Sequence, residues 1–337
     1  MAVLIGGTGS SGSTLLRMIL NRHSQIFAGA ELNFFNKEQF FENWQRHKSR
    51  ALPGHFPVIK TKGWFVYPDT CLLHKDYGWK RDDLKRLLNT SPTIEAFTNS
   101  FFEPVLQNNS ASIWVEKTPS NAYSFQHFLK HFPEGKIVQV VRNPLDVSAS
   151  LVRRDFPPFF AAGTWIYNTA AAIVPFRDSR YHLVKYEDLV ANPEAVVKAL
   201  IEFLNLDFEP EILTPQKDET PSKNEKMSGW KFSPQGGIQS QSVGSFDKLS
   251  TQKQAEIITC LSAIEISEKH RKVKNLPFVN CRDLCRQLGY EFQPQLKSSK
   301  AALYFSYFSD VVKRTLKGYP THIFNYPAKI NFNWSKH

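Results

Sequence analysis

The chain opens on a short apolar run, Ala2–Ile5, that ends in glycines. An apolar run bounded by turn residues predicts a buried strand. Ser13–Arg22 follows with Leu15, Leu16, Ile19 and Leu20 on one helical stripe, so the first unit reads strand, glycine loop, helix. Ile113–Val115 and Ile137–Val141 are short apolar runs rich in β-branched residues, the kind that fills strands covered on both faces. Each leads straight into a helix, at Pro119 and Pro144, where proline's fixed φ and missing N–H suit a first turn. His182–Val184 predicts another strand, ending at Lys185-Tyr186-Glu187-Asp188-Leu189, and Pro193 opens a helix through Leu204. Strands alternating with helices predict an α/β fold: a single domain with a mainly parallel central sheet flanked by helices. Residues 33–110, rich in Phe, Trp, Lys and Asn without a clean period, read as helices and loops over a pocket. Residues 217–245, rich in Ser, Gly, Gln and Lys, read as a long mobile loop. The expected organisation is a domain over 1–296 and a basic amphipathic extension over 297–337.

The 337 residues fit one large α/β domain or two smaller ones, and 42% apolar residues suffice for a sizeable core. Lys and Arg number 42 against 31 Asp and Glu, a net charge of +11 that suits an anionic partner or simply a soluble basic surface. Nucleic acid would explain the charge but neither of the two loop motifs described next, so it is not expected as a partner. Four scattered cysteines are too few for a disulfide framework, and Cys281 and Cys285 have no Cys/His pair to complete a zinc site, so no metal is expected. The Met-Ala-Val-Leu-Ile start is no signal peptide, and Ala161–Phe176 is interrupted by Thr, Tyr and Asn, which points to a cytoplasmic protein. In 297–337 seven basic residues accompany one acid, Asp310; Leu303, Phe308, Val311, Val312 and Leu316 offer an apolar face that suits peripheral contact with an anionic membrane, or simple docking on the domain.

The glycine loop, Gly7-Thr8-Gly9-Ser10-Ser11-Gly12-Ser13-Thr14, fits three templates. As G-x-G-x-x-G after a strand it suits a dinucleotide fold, with Glu31 where a ribose-binding acid would sit. As G-x-x-x-x-G-x-[ST] it is a Walker A loop whose Lys is replaced by Ser13, which removes the group that holds the β- and γ-phosphates. The third template is the phosphosulfate loop S-G-[ST]-[ST]-L. All three share one physical basis: glycines let the backbone approach a phosphate, and N–H groups at a helix N-terminus point at it.

A second motif separates them. Val138-Gln139-Val140-Val141-Arg142-Asn143-Pro144-Leu145-Asp146-Val147-Ser148-Ala149-Ser150 reads strand, Arg at the strand end, then helix, with Arg154 one turn further. Arg142, Ser150 and Arg154 suit one anion beyond the strand end, where α/β ligands bind. A redox enzyme has no evident use for a second phosphate clamp. Together the motifs resemble the sulfotransferase family that uses 3′-phosphoadenosine 5′-phosphosulfate (PAPS). Four pieces match in order: Ser11-Gly12-Ser13-Thr14-Leu15-Leu16, Glu116-Lys117-Thr118-Pro119-Ser120, Val141-Arg142-Asn143-Pro144 through Ser150, and Lys185-Tyr186-Glu187-Asp188-Leu189. The match spans about residues 2–205, with a weak Val243-Gly244-Ser245-Phe246 beyond it.

The resemblance implies a P-loop-like sulfotransferase fold that binds PAPS, yields 3′-phosphoadenosine 5′-phosphate (PAP) and uses no metal. It implies that Gly9, Ser10, Ser11, Gly12, Ser13 and Thr14 hold the phosphosulfate, that Arg142, Ser150 and Arg154 hold the 3′-phosphate, and that Tyr186 belongs to the donor site. Lys117 would stabilise the leaving oxygen. Glu31 stands 19 residues after Gly12, where the carbohydrate and tyrosylprotein branches carry a catalytic Glu, while the His of the cytosolic branch is replaced by Pro119. Two departures stand out. Many members carry a base at the place of Ser10, for which Lys117 or Arg17 would have to substitute, and the Arg-Lys-Gly of the cytosolic branch is missing near Gly244, leaving Ser240 or Ser242 as a donor. The implied reaction moves a sulfuryl group to a hydroxyl or amine of a small-molecule, lipid or saccharide acceptor. Phe34, Phe35, Phe40, Phe41, Trp44, Trp64, Phe65 and Tyr67 would line an apolar acceptor pocket or fill the core. A dehydrogenase using NAD(P) and a non-catalytic PAPS-binding module are the competing readings.

Overall fold

The computed structural model describes residues 1–52, 54–55, 60–61, 76–215, 238, 240–295, 299, 301, 304–305, 308, 312 and 330–332. Its strands are β1 (Ala2–Gly7), β2 (Ile26–Phe27), β3 (Gly54–His55), β4 (Lys60–Thr61), β5 (Ile113–Lys117), β6 (Lys136–Val141), β7 (Tyr181–Lys185), β8 (Ile264–Ile266) and β9 (Ile330–Phe332). β1, β2, β5, β6 and β7 form one parallel sheet in the order β2-β5-β1-β6-β7. The antiparallel pairs β3–β4 and β8–β9 lie apart from it. The central strand β1 aligns Ile5 with Lys117 of β5 and with Val138 of β6. All five strands run the same way, so their C-terminal ends share one edge, the edge where ligands of open α/β sheets bind.

Alternation along the strands divides the sheet's contacts. Val3 and Ile5 of β1, with Val115, Val138 and Val140, pack on Leu16, Ile19 and Leu20 of the first helix, Ser13–Leu20, and on Val197, Leu200 and Ile201 of helix Pro193–Phe203. Leu4, Trp114 and Ile137 face the other way, into a cluster of aromatic rings. Both sides of the sheet are thus covered, as buried parallel strands require. A third cluster joins helix Pro158–Ala172 to Thr251–Ala263 and Cys281–Leu288 around Trp165, Ile166 and Leu261.

The aromatic segment before β5 proves to be core. Phe34, Phe35, Phe40, Phe41 and Trp44 are all buried with Phe97, Phe101 and Phe102, and Phe102 stacks on Trp114 with centroids 4.1 Å apart. These rings fill the space above the sheet instead of lining a pocket; Trp64, Phe65 and Tyr67 lie outside the described residues. Most of the expected loop 217–245 lies outside them too, but Ser240–Phe246 is described and held against the site, as shown below. Cys281 and Cys285 are buried with their sulfurs 3.7 Å apart among apolar neighbours. No helix among the described residues is long and apolar enough to cross a membrane.

Gly7 ends β1 with φ 144°, and a Cβ there would stand 2.1 Å from the carbonyl oxygen of Val140 in β6. Any side chain at this point pushes the two central strands apart. Gly9 meets nothing within 4 Å. Gly7→Ala should therefore cost about 3 kcal/mol or more of stability, and Gly9→Ala less than about 0.5 kcal/mol, when the two are compared by urea denaturation.

Candidate active site

Beyond Gly7 the chain turns tightly. Ser11 N donates to Thr8 O at 3.2 Å, Ser10 takes a left-handed φ of 69°, and Gly12 caps the first helix at φ 89°. A Cβ on Gly12 would stand 2.3 Å from the Tyr186 ring, so only glycine lets the loop lie on that ring. The hydroxyls of Thr8, Ser11 and Ser13 are buried, and among the described residues none of them has a hydrogen-bond partner. Buried polar atoms are rarely left in that state unless a ligand or water completes them. Around Gly9, whose Cβ position is open, these hydroxyls and the helix N-terminus make a cradle that fits a phosphate or sulfate group.

Lys117 ends β5 beside this cradle. Its side chain has no exposed surface; Nζ donates to Thr14 Oγ1 at 3.0 Å and pairs with the Glu31 carboxylate, which is 29% exposed. Glu31 lies in the segment after β2, and that segment is pinned at four points. Arg17 Nη1 donates to Ala28 O at 2.9 Å, and the Tyr77 hydroxyl donates to Ala30 O. Leu32 N donates to Glu116 Oε1 at 2.8 Å, and Asn33 N to Thr118 Oγ1 at 3.1 Å. Arg17 thus holds the backbone of this segment through Nη1. Glu116 is wholly buried and also accepts from Thr118 Oγ1 at 2.6 Å and Asn121 Nδ2 at 2.5 Å. Burial pushes its carboxyl above the ordinary range, only partly offset by those hydrogen bonds, and the nearby Glu31 charge pushes the same way.

Arg142 follows β6. Its Nη1 donates to Ser10 O at 3.1 Å, its Nη2 donates to Ser242 O and to Ser245 Oγ at 3.3 Å, and its guanidinium lies 4.7 Å from the Tyr186 ring centroid. Asp146, one turn on, stands 3.5 Å from Arg142 Nη2 and gathers the far segment: it accepts from Gly244 N at 3.0 Å, Phe246 N at 2.9 Å and Ser245 Oγ at 3.2 Å. The hydroxyl at Arg142 is therefore Ser245, and Ser242 meets it through a carbonyl. Arg154 Nη1 reaches Ser10 Oγ at 3.4 Å; burial lowers its pKa while the Glu31 charge opposes the shift. Ser150 is half-buried on helix Pro144–Val152, one turn past Asp146. The motif carrying Tyr186 is tied in as well, since Glu187 Oε1 accepts from Asn143 N at 2.8 Å.

Of the residues singled out from sequence, the structure brings Thr14, Lys117 and Glu31 into one chain of contacts. It brings Ser10, Arg142, Arg154 and Tyr186 into another, with Gly12 against Tyr186. Glu116, Thr118, Asp146 and Ser245 were missed as site residues, although three of them sit inside the quoted motifs and the fourth in the weak one.

The family model described as "Sulfotransferase family" matches residues 2–210, well over half of the chain. The chain belongs to the sulfotransferase family. A curated protein of Aquifex aeolicus (strain VF5), described as uncharacterized, is 26% identical over 235 residues; the match covers 66% of this chain but only 28% of the relative, so the chain spans less than a third of that protein's length. Among solved structures, the sulfotransferase domain from the curacin biosynthetic pathway is 20% identical, with 86% of this chain and 98% of that one covered and a TM-score of 0.48. The sulfotransferase domain of the Synechococcus PCC 7002 olefin synthase is likewise 20% identical, with 87% and 95% covered and a TM-score of 0.49.

Because the Glu116 carboxyl is raised above its ordinary 4.5 in the folded chain, its contribution to stability is full below that value and is lost as pH rises through the raised one. Glu116→Gln carries no such charge. Its Tm should fall less than the wild type's between about pH 5 and pH 8, as followed by thermal denaturation in matched buffers.

Proposed function

We propose that this sulfotransferase moves the sulfuryl group of PAPS to a hydroxyl or amine acceptor, with Glu31 as general base. The observation that carries the reading is the Glu31–Lys117–Thr14 chain at the mouth of the cradle. A carboxylate, a buried ammonium and a hydroxyl from the end of the glycine loop meet in one chain of contacts. The hydroxyls of Thr8, Ser11 and Ser13, without a partner among the described residues, suit an anion in the cradle. PAPS supplies a sulfuryl group already activated by its anhydride bond to phosphate. Gly9, Ser10, Ser11, Gly12, Ser13 and Thr14 would hold its phosphosulfate; Arg142, Ser150 and Arg154 would hold its 3′-phosphate, with Tyr186 beneath.

The chain's own groups then have separate tasks. Glu31, tethered on both sides, takes the acceptor proton at its carboxylate. Lys117 Nζ, fixed by Thr14 and Glu31, offsets the negative charge that builds at the departing oxygen, together with the loop amides. Arg142 and Arg154 orient without entering the chemistry. Both guanidinium groups touch Ser10, so the positive charge that a basic residue at that place would bring is supplied from the Arg142–Arg154 side. The acceptor is a hydroxylated small molecule, lipid or saccharide that approaches the exposed edge of Glu31. Phe156 and Phe160, half-buried and stacked 5.1 Å apart beside Arg154, offer it an apolar wall.

The dehydrogenase reading loses its footing in the strand order. In a dinucleotide fold the strand leading to the ribose acid lies beside the first strand; here β5 stands between β1 and β2, which leads to Glu31.

Transfer of label from radiolabelled PAPS to a panel of alcohols, sterols and saccharides tests the proposal. Glu31→Gln should lower turnover at least about a thousandfold with PAP affinity within about twofold of wild type. A fully active variant would remove Glu31 from the base role, and PAP binding without turnover of any acceptor by the wild type would favour a non-catalytic module. Arg142→Ala should weaken PAP by about 2 kcal/mol or more and adenosine 5′-phosphosulfate, which lacks the 3′-phosphate, by far less. Equal weakening of the two in calorimetric titrations would mean that Arg142 does not read that group.

A further inference from the structure

Tyr304, Phe305, Phe308 and Val312 are helical and 52%, 77%, 64% and 40% exposed. They make up four of the six large apolar side chains exposed among the described residues. At 100° per residue they fall within an arc of about 100°, one face of a helix. Single exposed apolar residues need no explanation, but several large ones on one side of a short segment mark an interaction surface. The chain leading to it is anchored on the domain: Gln295 N donates to Ser262 Oγ at 3.0 Å, and that hydroxyl donates to Gln295 O at 3.3 Å.

Charge selects the occupant. Lys297 and Lys300 precede the stripe, Lys313, Arg314 and Lys317 follow it, and Asp310 is the one acid between 297 and 337. Aromatic rings bracketed by lysine and arginine match the boundary of an anionic bilayer, where rings enter below the headgroups and cations meet lipid phosphates. We propose that this segment docks the protein on an anionic lipid bilayer through Phe305, Phe308 and Val312. Docking does not depend on the assignment of the donor or of Glu31.

Sedimentation of the full chain with vesicles tests this. The protein should bind vesicles of phosphatidylcholine mixed with phosphatidylglycerol, bind phosphatidylcholine alone far less, and lose binding as salt is raised. Phe305→Ser combined with Phe308→Ser should reduce binding to the mixed vesicles at least about tenfold with Tm unchanged, since both rings are exposed. Lys313→Glu combined with Arg314→Glu should do the same through charge. Failure to bind the mixed vesicles, or equal binding by the double serine variant, overturns the proposal. A concentration-dependent dimer abolished by the serine variant, with no vesicle binding, overturns it in favour of a second copy covering the face.

Discussion

A lysine ammonium with no exposed surface cannot stand alone, and the site is organised around that constraint. Desolvating a charge is costly unless opposite charge and hydrogen bonds replace the lost water. Lys117 meets the requirement with the Glu31 carboxylate and the Thr14 hydroxyl. Each of those partners belongs to a different element, Thr14 to the first helix and Glu31 to the segment after β2, while Lys117 itself ends β5. One buried charge therefore ties the cradle, Glu31 and the sheet to a common point. Removing any member leaves the others with uncompensated polarity, which is how the fold keeps its chemistry in register.

Two carboxylates extend that arrangement outward. Glu116 is adjacent to Lys117 but points into the protein, where it grips the backbone next to Glu31. Asp146 does the corresponding work on the other side, gripping Gly244, Ser245 and Phe246 against Arg142. Neither faces the cradle in a catalytic position. Each converts a segment distant in sequence into a wall of the site, and sites held by such supporting hydrogen bonds keep their geometry without help from the ligand.

Much of this was legible in the sequence for a physical reason. Buried parallel strands, a glycine loop before a helix and proline at first helical turns are local signals, and the strands near 2, 113, 137 and 182 all appear where the pattern puts them. Residues 2–210 also match the family that the ordered motifs resembled. What was not legible depends on long-range contact. Whether Phe34, Phe35, Phe40 and Trp44 line a pocket or fill a core is decided by Phe97, Phe101 and Trp114, far away in sequence. That the Ser245 hydroxyl meets Arg142 is decided by Asp146, which holds the same hydroxyl from the next helical turn. A polar, glycine-rich composition suggested a loop over 217–245 but said nothing of the contacts that hold Gly244, Ser245 and Phe246 to Asp146.

In the proposed function the cradle and Arg142 together read a nucleotide with both 5′- and 3′-phosphates. A thermal-shift comparison of PAP, NADP and ATP with magnesium, each near millimolar, addresses it most directly. A ligand at a hundredfold excess over its Kd stabilises by about 2.7 kcal/mol, enough to move Tm by several degrees. Such a shift is expected with PAP and a far smaller one with the other two. A shift with NADP or ATP and none with PAP would contradict it.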